Sequence, residues 1–389
     1  VVTPQRTPTS SPHGGFGTVA LLLQGGGALG AYQAGVYEAL AEHGIEPTWL
    51  AGISIGSINS AIIAGNPPAE RVGRLRAFWE TVSGQAASSG SLWSSLLPGD
   101  VAHRFANQIA AGEALVSGVP GFFSPRIPPP PLQPKDSVAA TSWYETKELR
   151  PTLERLVDFD RINSKQVRLS VGAVNVRTGN FAYFDNSQRA IRVEHVMASA
   201  ALPPGFPAIE VDGEFYWDGG MVSNTPLGWV LSERTGLDSL IFQVDLWNSH
   251  GPVPGDLAEV AVRMKDIQFS SRTRAVTNGF RQAQRLRAAF NAFLSQLPPE
   301  LAHLPKSNPL SEATDDAVYN IIELVYRSPA YEGQSKDYAF SAQTMTDHWS
   351  AGYRDGKRTL AHPEVLERPD TPSAVKVYDF LDPPTHEAP

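Results

Sequence analysis

The chain predicts an α/β fold built on a mainly parallel sheet. Apolar runs of strand length alternate with stretches of helical period, and glycines stand where a strand gives way to a helix. The 33 glycines and 32 prolines are spread along 389 residues, which points to many elbows between elements and not to low complexity. That length accommodates one large core with a cap or small added domain.

Residues 1–16, rich in Pro, Ser, Thr and Gly, are expected to form a flexible tail. Thr18–Gln24 reads as the first buried strand, and Tyr32, Val36 and Leu40 then fall on one helical face. Trp49–Ile53 is the second strand and Ile55–Ala64 the second helix. Residues 84–140 break the pattern with Trp93, Leu96, Leu97, Phe122, Phe123 and a proline run from Pro128 to Pro131. This segment is expected to be an irregular inserted cap whose exposed Trp and Phe wall an apolar site, the alternative being a surface linker. Strands resume at Val167–Val176 and Phe181–Phe184, followed by a helix over Val193–Ala200 that Pro203 and Pro204 stop. Glu214–Trp217 leads into Asp218-Gly219-Gly220, and Ser239–Leu246 is another buried strand. Residues 17–250 thus form the expected main domain, with the cap inserted at about 84–140, and 251–389 a helical extension. In the extension Leu286, Phe290, Phe293 and Leu297 make an amphipathic stripe. Arg263, Lys265, Arg272, Arg274, Arg281, Arg285 and Arg287 flank it against only Asp266. This face either packs on the core with its polar side in water, or meets an anionic phospholipid membrane peripherally.

Composition excludes several functions. A net charge of −8 argues against nucleic acid as the main partner. With no cysteine there is no disulfide or thiolate chemistry, which fits a reducing compartment. No apolar run reaches the roughly 18–20 residues of a spanning helix. The first residues lack the apolar core of a signal peptide, so cytoplasmic residence is expected.

Two glycine-bearing motifs carry the chemistry. Gly52-Ile53-Ser54-Ile55-Gly56 puts a serine where a strand stops and a helix starts, and the flanking glycines allow a sharp turn. Gly25-Gly26-Gly27-Ala28-Leu29-Gly30 offers clustered backbone N–H groups next to a helix N-terminus, as an oxyanion hole needs. Gly25, Gly27 and Gly30 also satisfy a dinucleotide-binding pattern, but the second strand ends at Ser54 where that fold wants an acidic residue for the ribose. No Gly-Lys-Ser/Thr follows, so a P-loop fails as well. None of the nine histidines lies in an obvious catalytic loop or an H-E-x-x-H pair, and His195 reads as packing or capping. The best base for Ser54 is Asp218. A carboxylate is a weak base at neutral pH unless burial raises its pKa or it is held against the hydroxyl. By itself Asp218 could equally be a turn aspartate.

Together the three motifs resemble the patatin-like phospholipase family, over roughly residues 17–230. Its pattern is a glycine-rich oxyanion loop, G-x-S-x-G, and a distal D-G-G or D-G-A, matched here by Gly25–Gly30, Gly52–Gly56 and Asp218–Gly220. The resemblance implies a three-layer α/β/α sandwich. It also implies a Ser54–Asp218 dyad and oxyanion donors from Gly25, Gly26 and Gly27, with Gly30, Gly52, Gly56, Gly219 and Gly220 supporting the motifs. Many members carry Arg or Lys before the last loop glycine; Leu29 stands here, which bears on phospholipid preference and not on ester hydrolysis. The stretches around Lys336 and His348–Asp355 resemble an extension of some bacterial members and name no activity.

The expected activity is hydrolysis of lipid acyl esters, as by a phospholipase A or lysophospholipase, through an acyl-enzyme. The alternatives are a soluble esterase on other acyl esters, such as hydroxyalkanoate oligomers or polyesters, and a non-catalytic lipid-binding scaffold. No metal or organic cofactor is implied.

Overall fold

The computed structural model describes residues 15–84, 99–233, 235–270, 273–294, 296, 317–329, 332–333, 335–371 and 374–380. At its centre is β1 (Thr18–Leu23), buried along its whole length between strands on both edges. Side chains alternate along a strand, so Val19, Leu21 and Leu23 enter one hydrophobic core while Ala20 and Leu22 enter another. α1 (Ala31–Glu42), β2 (Trp49–Ile53), α2 (Ile55–Ala64) and α3 (Pro68–Ser83) follow. The chain then leaves the sheet through α4 (Gly99–Ser117), the short antiparallel pair β3 (Ser124–Pro125) and β4 (Tyr144–Glu145), α5 (Leu149–Leu156) and α6 (Phe159–Asn163). It returns with β5 (Arg168–Asn175), β6 (Phe181–Asp185), α7 (Val193–Ser199), β7 (Ile209–Val211), β8 (Glu214–Asp218), α8 (Leu227–Ser232) and β9 (Ser239–Asp245). The last elements are α9 (Leu257–Phe269), α10 (Thr273–Leu294), β10 (Tyr319–Val325), α11 (Ala342–Leu360) and β11 (Val375–Tyr378).

The sheet has the order β11-β10-β9-β1-β2-β5-β8-β7, with β6 on β5. From β11 to β5 all pairs are parallel; β6, β7 and β8 pair antiparallel. α1, α2, α3 and α11 cover one face, whereas α8 and Phe280 of α10 cover the other. The result is a three-layer α/β/α sandwich.

Several expectations need correction. Beyond residue 250 the chain is helical over α9, α10 and α11 but also adds β10 and β11 to the sheet, so the sheet runs past that boundary. Tyr319–Val325 is a short, nearly continuous apolar run, which suits a strand buried on both faces. The expected stripe on α10 is not its packed face: Leu286 and Phe293 are exposed, and the helix rests on Thr277, Phe280 and Gln284. Leu297 lies outside the described residues. In the cap segment, Trp93, Leu96 and Leu97 also lie outside them; the next stretch is the 19-residue helix α4 and not irregular chain. Phe122 and Phe123 are buried, not exposed, because they pack on Phe206 and Phe340. Phe16, assigned to the tail, enters the core.

α1 is buried nearly all round because α11 covers its outer side. The two helices touch backbone to backbone: a Cβ on Gly35 would collide with the Trp349 carbonyl, and one on Gly352 with the Tyr32 carbonyl. Gly352→Ala should therefore cost about 2 kcal/mol, as overpacking does, and lower the urea midpoint at unchanged slope. Gly73→Ala, in open space on α3, should hold or gain stability. Equal midpoints for Gly352→Ala and wild type would rule out the tight contact.

Candidate active site

β5 brings the two distant motifs together. Along one edge it pairs with β2 up to Ile53↔Gly172, and at the next residue it begins to pair with β8, at Ala173↔Asp218. β6 occupies the other edge over Ser170–Val174, so β8 takes the edge that β2 has just left. Ser54 leaves β2 where Asp218 arrives on β8.

Ser54 makes the turn at φ 54 and ψ −125, a conformation that costs a side-chain-bearing residue about 1–3 kcal/mol. The turn has no room for side chains at Gly52 and Gly56, whose Cβ atoms would strike the Gly56 and Leu23 carbonyls. Its strain is held from outside. The Ser54 N–H donates to Ser199 Oγ (3.0 Å), whose hydroxyl donates to the Gly172 carbonyl (2.6 Å). Ser57 Oγ donates to the Ser54 carbonyl at 2.6 Å, and α2 runs on from there.

Asp218 is 2% exposed. Its Oδ1 accepts the Gly220 N–H at 2.7 Å, and Ser54 stands beside it in the same cavity. Burial pushes the carboxyl up to about 7, against the pull of Ser54 and the Gly220 N–H. Gly219 lies close against the Gly172 carbonyl.

The glycine loop lies beside Ser54. The Gly25 N–H donates to the Asn224 carbonyl (3.3 Å) and the Ala28 N–H to the Asp337 carbonyl (2.8 Å). Among the described residues no acceptor takes the N–H groups of Gly26 and Gly27. Of the three glycines expected as donors, these two are open. Gly30 ends the loop, its carbonyl accepting Asn59 Nδ2 at 3.0 Å.

A cavity of about 290 Å³ opens over Ser54, Asp218 and the three loop glycines. Its wall is aromatic and comes from distant segments: Phe122 and Phe123 from the cap, Tyr144 of β4, Phe206, and Phe340 before α11, with neighbouring ring centroids 5.0–6.5 Å apart. No histidine among the described residues lines it. His195 is buried against Phe184; its Nδ1 accepts the Arg192 N–H at the start of α7, and burial and Arg192 hold it down at about 4. A larger groove, about 510 Å³ between β10 and α11, carries none of the motif residues. Among the described residues no group of three His, Asp or Glu could hold a metal.

Sequence reading missed the residues that steady the site. Gln24 Oε1 accepts the N–H groups of Leu246 (2.5 Å) and Trp247 (3.0 Å), tying β1 to β9, and Asn224 Nδ2 bonds the Gly25 carbonyl (3.0 Å). Neither stands in a periodic or spaced pattern that could have revealed it. Leu29 is buried, so that position presents no side chain to the cavity.

A family model described as patatin-like phospholipase matches residues 21–230, and another, described as patatin phospholipase, matches residues 267–372. Triacylglycerol lipase SDP1L of Arabidopsis thaliana is 46% identical over 48 residues, a match covering 12% of this chain and 6% of that protein. Among solved structures, VipD from Legionella pneumophila aligns at 14% identity and a TM-score of 0.39, over 88% of this chain and 67% of that one. ExoU of Pseudomonas aeruginosa, in complex with SpcU, aligns at 16% identity and a TM-score of 0.25, over 90% and 75%.

A carboxyl raised from 3.8 to about 7 in the folded state contributes stability that is present below the lower value and lost as pH rises through the upper one. Asp218→Asn should then gain stability over wild type as pH rises from 5 to 8, by an amount on the order of a few kcal/mol. Melting curves of both proteins across that range check it; a constant difference would mean that Asp218 is not raised.

Proposed function

The chain belongs to the patatin-like phospholipase family, and on that premise we propose that it hydrolyses lipid acyl esters with Ser54 as nucleophile and Asp218 as base. The observation that carries the reading is Ser54 beside a carboxylate that burial raises to about 7. Such a carboxylate is basic enough to accept a proton near neutral pH, where an ordinary aspartate is not.

Ser54 Oγ attacks the ester carbonyl carbon as its proton passes to Asp218. The carbonyl electron pair moves onto oxygen, which accepts from the Gly26 and Gly27 N–H groups, each such donor contributing about 3 kcal/mol. Collapse of the tetrahedral intermediate expels the alcohol, which takes the proton from Asp218. Water then attacks the acyl-enzyme with Asp218 again as acceptor, and a second collapse frees the acid and returns the proton to Ser54 Oγ. The aromatic wall takes the acyl chain, each buried CH₂ favouring binding by about 0.8 kcal/mol.

A second reading, hydrolysis of uncharged acyl esters such as acylglycerols or hydroxyalkanoate oligomers, is favoured by one observation. The ionisable side chains lining the cavity are Asp218, Asp337, Tyr144 and Tyr338, with no cation for a phosphate among the described residues. The name of the Arabidopsis relative, triacylglycerol lipase, accords with it.

The lipid contact proposed for this enzyme is apolar. Leu257, Val260, Met264 and Ile267 form an exposed stripe along α9, which ends at Phe269 in the cavity wall. Leu115 and Leu202 both line the cavity and reach solvent. Of the cations expected to draw this face to anionic lipid, the two on α9 are engaged: Arg263 bonds the Asn248 and Ser249 carbonyls, and Lys265 bonds Asp337. Among the described residues no helix is long and apolar enough to cross a membrane.

Ser54→Ala should lower ester turnover by about 10³-fold or more and abolish labelling by a fluorophosphonate. Wild-type kcat/KM should rise with pH to a plateau, with an apparent pKa of about 7. Fatty-acid release compared on p-nitrophenyl esters, triacylglycerol and phospholipid decides between the substrate readings; more than a few per cent of turnover left in Ser54→Ala would end both. Binding to phosphatidylcholine vesicles should change little from low to high salt and fall severalfold in Met264→Glu/Ile267→Glu. Binding that salt abolishes would assign the contact to cations instead.

A further inference from the structure

A trans peptide points its C=O and N–H in opposite directions, so a bonded carbonyl aims the N–H that follows it. In the glycine loop, the Gly25 carbonyl is taken by Trp247 Nε1 (2.8 Å) and Asn224 Nδ2 (3.0 Å), which turns the Gly26 N–H away from both. The Gly26 carbonyl is taken by the Leu29 N–H (3.2 Å), which does the same for Gly27. Downstream, both polar groups of Ala28 are held by the C-terminal segment. Its N–H donates to the Asp337 carbonyl (2.8 Å), and its carbonyl faces His348 Nδ1 of α11 (3.3 Å). Gly27, at φ 56, lies so close to the Asp337 carbonyl that a Cβ would collide with it.

His348 stands between two acceptors, the Ala28 carbonyl and Glu332 Oε1 at 2.9 Å from Nε2. With its proton on Nδ1 the ring donates to the Ala28 carbonyl, while Nε2 meets the Glu332 carboxyl. Tyr326 donates to the same Glu332 oxygen at 2.8 Å, and all three side chains are buried. Burial pushes the Glu332 carboxyl up, but His348 and Tyr326 outweigh it and hold the group below its ordinary value. The turn carrying Asp337 is clamped to α9 by two ion pairs, Lys265–Asp337 (2.8 Å) and Lys336–Asp266 (2.7 Å).

We infer that Glu332, His348 and, through its carbonyl, Asp337 are positioning residues that hold the glycine loop with its Gly26 and Gly27 N–H groups open to the cavity. The inference rests on the reading of those two groups as oxyanion donors. It makes the C-terminal segment part of the catalytic unit, because without it Ala28 loses both partners.

The test compares His348→Ala, Glu332→Ala and Glu332→Gln by kcat and KM on a soluble p-nitrophenyl ester. Hydrogen–deuterium exchange of the peptide spanning Gly25–Gly30 is followed in parallel. Displacing a catalytic group by 1 Å can cost on the order of 10²-fold, so the two alanine variants should lose about 10- to 100-fold in kcat with KM little changed, and exchange in the loop should quicken. Gln at 332 offers an N–H to Nε2, so a neutral ring keeps its Nδ1 proton on Ala28, and Glu332→Gln should stay near wild type in both readouts. Should the core variants fail to fold, Lys265→Met loosens the same turn from the solvent side and should lower kcat severalfold at constant KM. The inference is overturned by wild-type kcat and exchange in folded His348→Ala, by a loss confined to KM, by Glu332→Gln as damaging as Glu332→Ala, or by unchanged kcat in Lys265→Met. Exchange needs no turnover: an inert wild type whose loop still loosens in His348→Ala would sink the hydrolase reading and leave the positioning role standing.

Discussion

β5 pairs with two strands in succession along one edge, and the site depends on that register. β2 ends at Ile53 opposite Gly172, and β8 supplies Asp218 opposite Ala173. A slip of one residue would turn the side chains of β8 to the opposite face and take the carboxylate away from Ser54. The same edge holds the strained turn, since the Gly172 carbonyl accepts the Ser199 hydroxyl that receives the Ser54 N–H. One strand thus sets the position of the carboxylate and stabilises the serine backbone opposite it.

Burial acts on this site in two ways. Removing Asp218 from water raises its carboxyl, which costs stability at neutral pH and makes the group basic enough to take a proton. The apolar wall that shields it is also the surface suited to an acyl chain. That wall is assembled from segments with no covalent nearness: Phe122 and Phe123, Tyr144, Phe206 and Phe340 meet as a single ring cluster. A cap that only covered the site would not need its phenylalanines so deeply buried.

The C-terminal segment is continuous with the fold. β10 extends the parallel sheet beside β9, α11 lies on α1 with glycines at the contact, and the turn at Asp337 meets the loop at Ala28. The buried Tyr326–Glu332–His348 group sits directly behind that loop. Desolvating such a pair is expensive unless its hydrogen bonds are made, so its place behind the loop carries more weight than its contribution to stability.

Local chemistry made much of this legible in the sequence. Apolar runs and helical period located β1, α1, β2, α2 and β9, because those patterns record a side-chain alternation that the backbone imposes. The glycines around Ser54 were readable because a sharp turn excludes a Cβ there. Asp218 was nominated from its glycine neighbours and from the family pattern, but nothing local to it specifies burial or a partner. β10 was missed inside a stretch read as helical, since a short apolar run suits a strand or a helix until its neighbours are known. The burial of Phe122 and Phe123 has no local signal either, because it comes from packing on Phe206 and Phe340. The sequence by itself determined which elements form and which residue types could do the chemistry. The tertiary structure alone decided that Ser54 faces Asp218, that among the described residues Gly26 and Gly27 keep open N–H groups while Gly25 does not, and that Asp337 and His348 meet the loop at Ala28. Those outcomes turn on desolvation and on hydrogen bonds between residues up to hundreds of positions apart, and no local pattern encodes either.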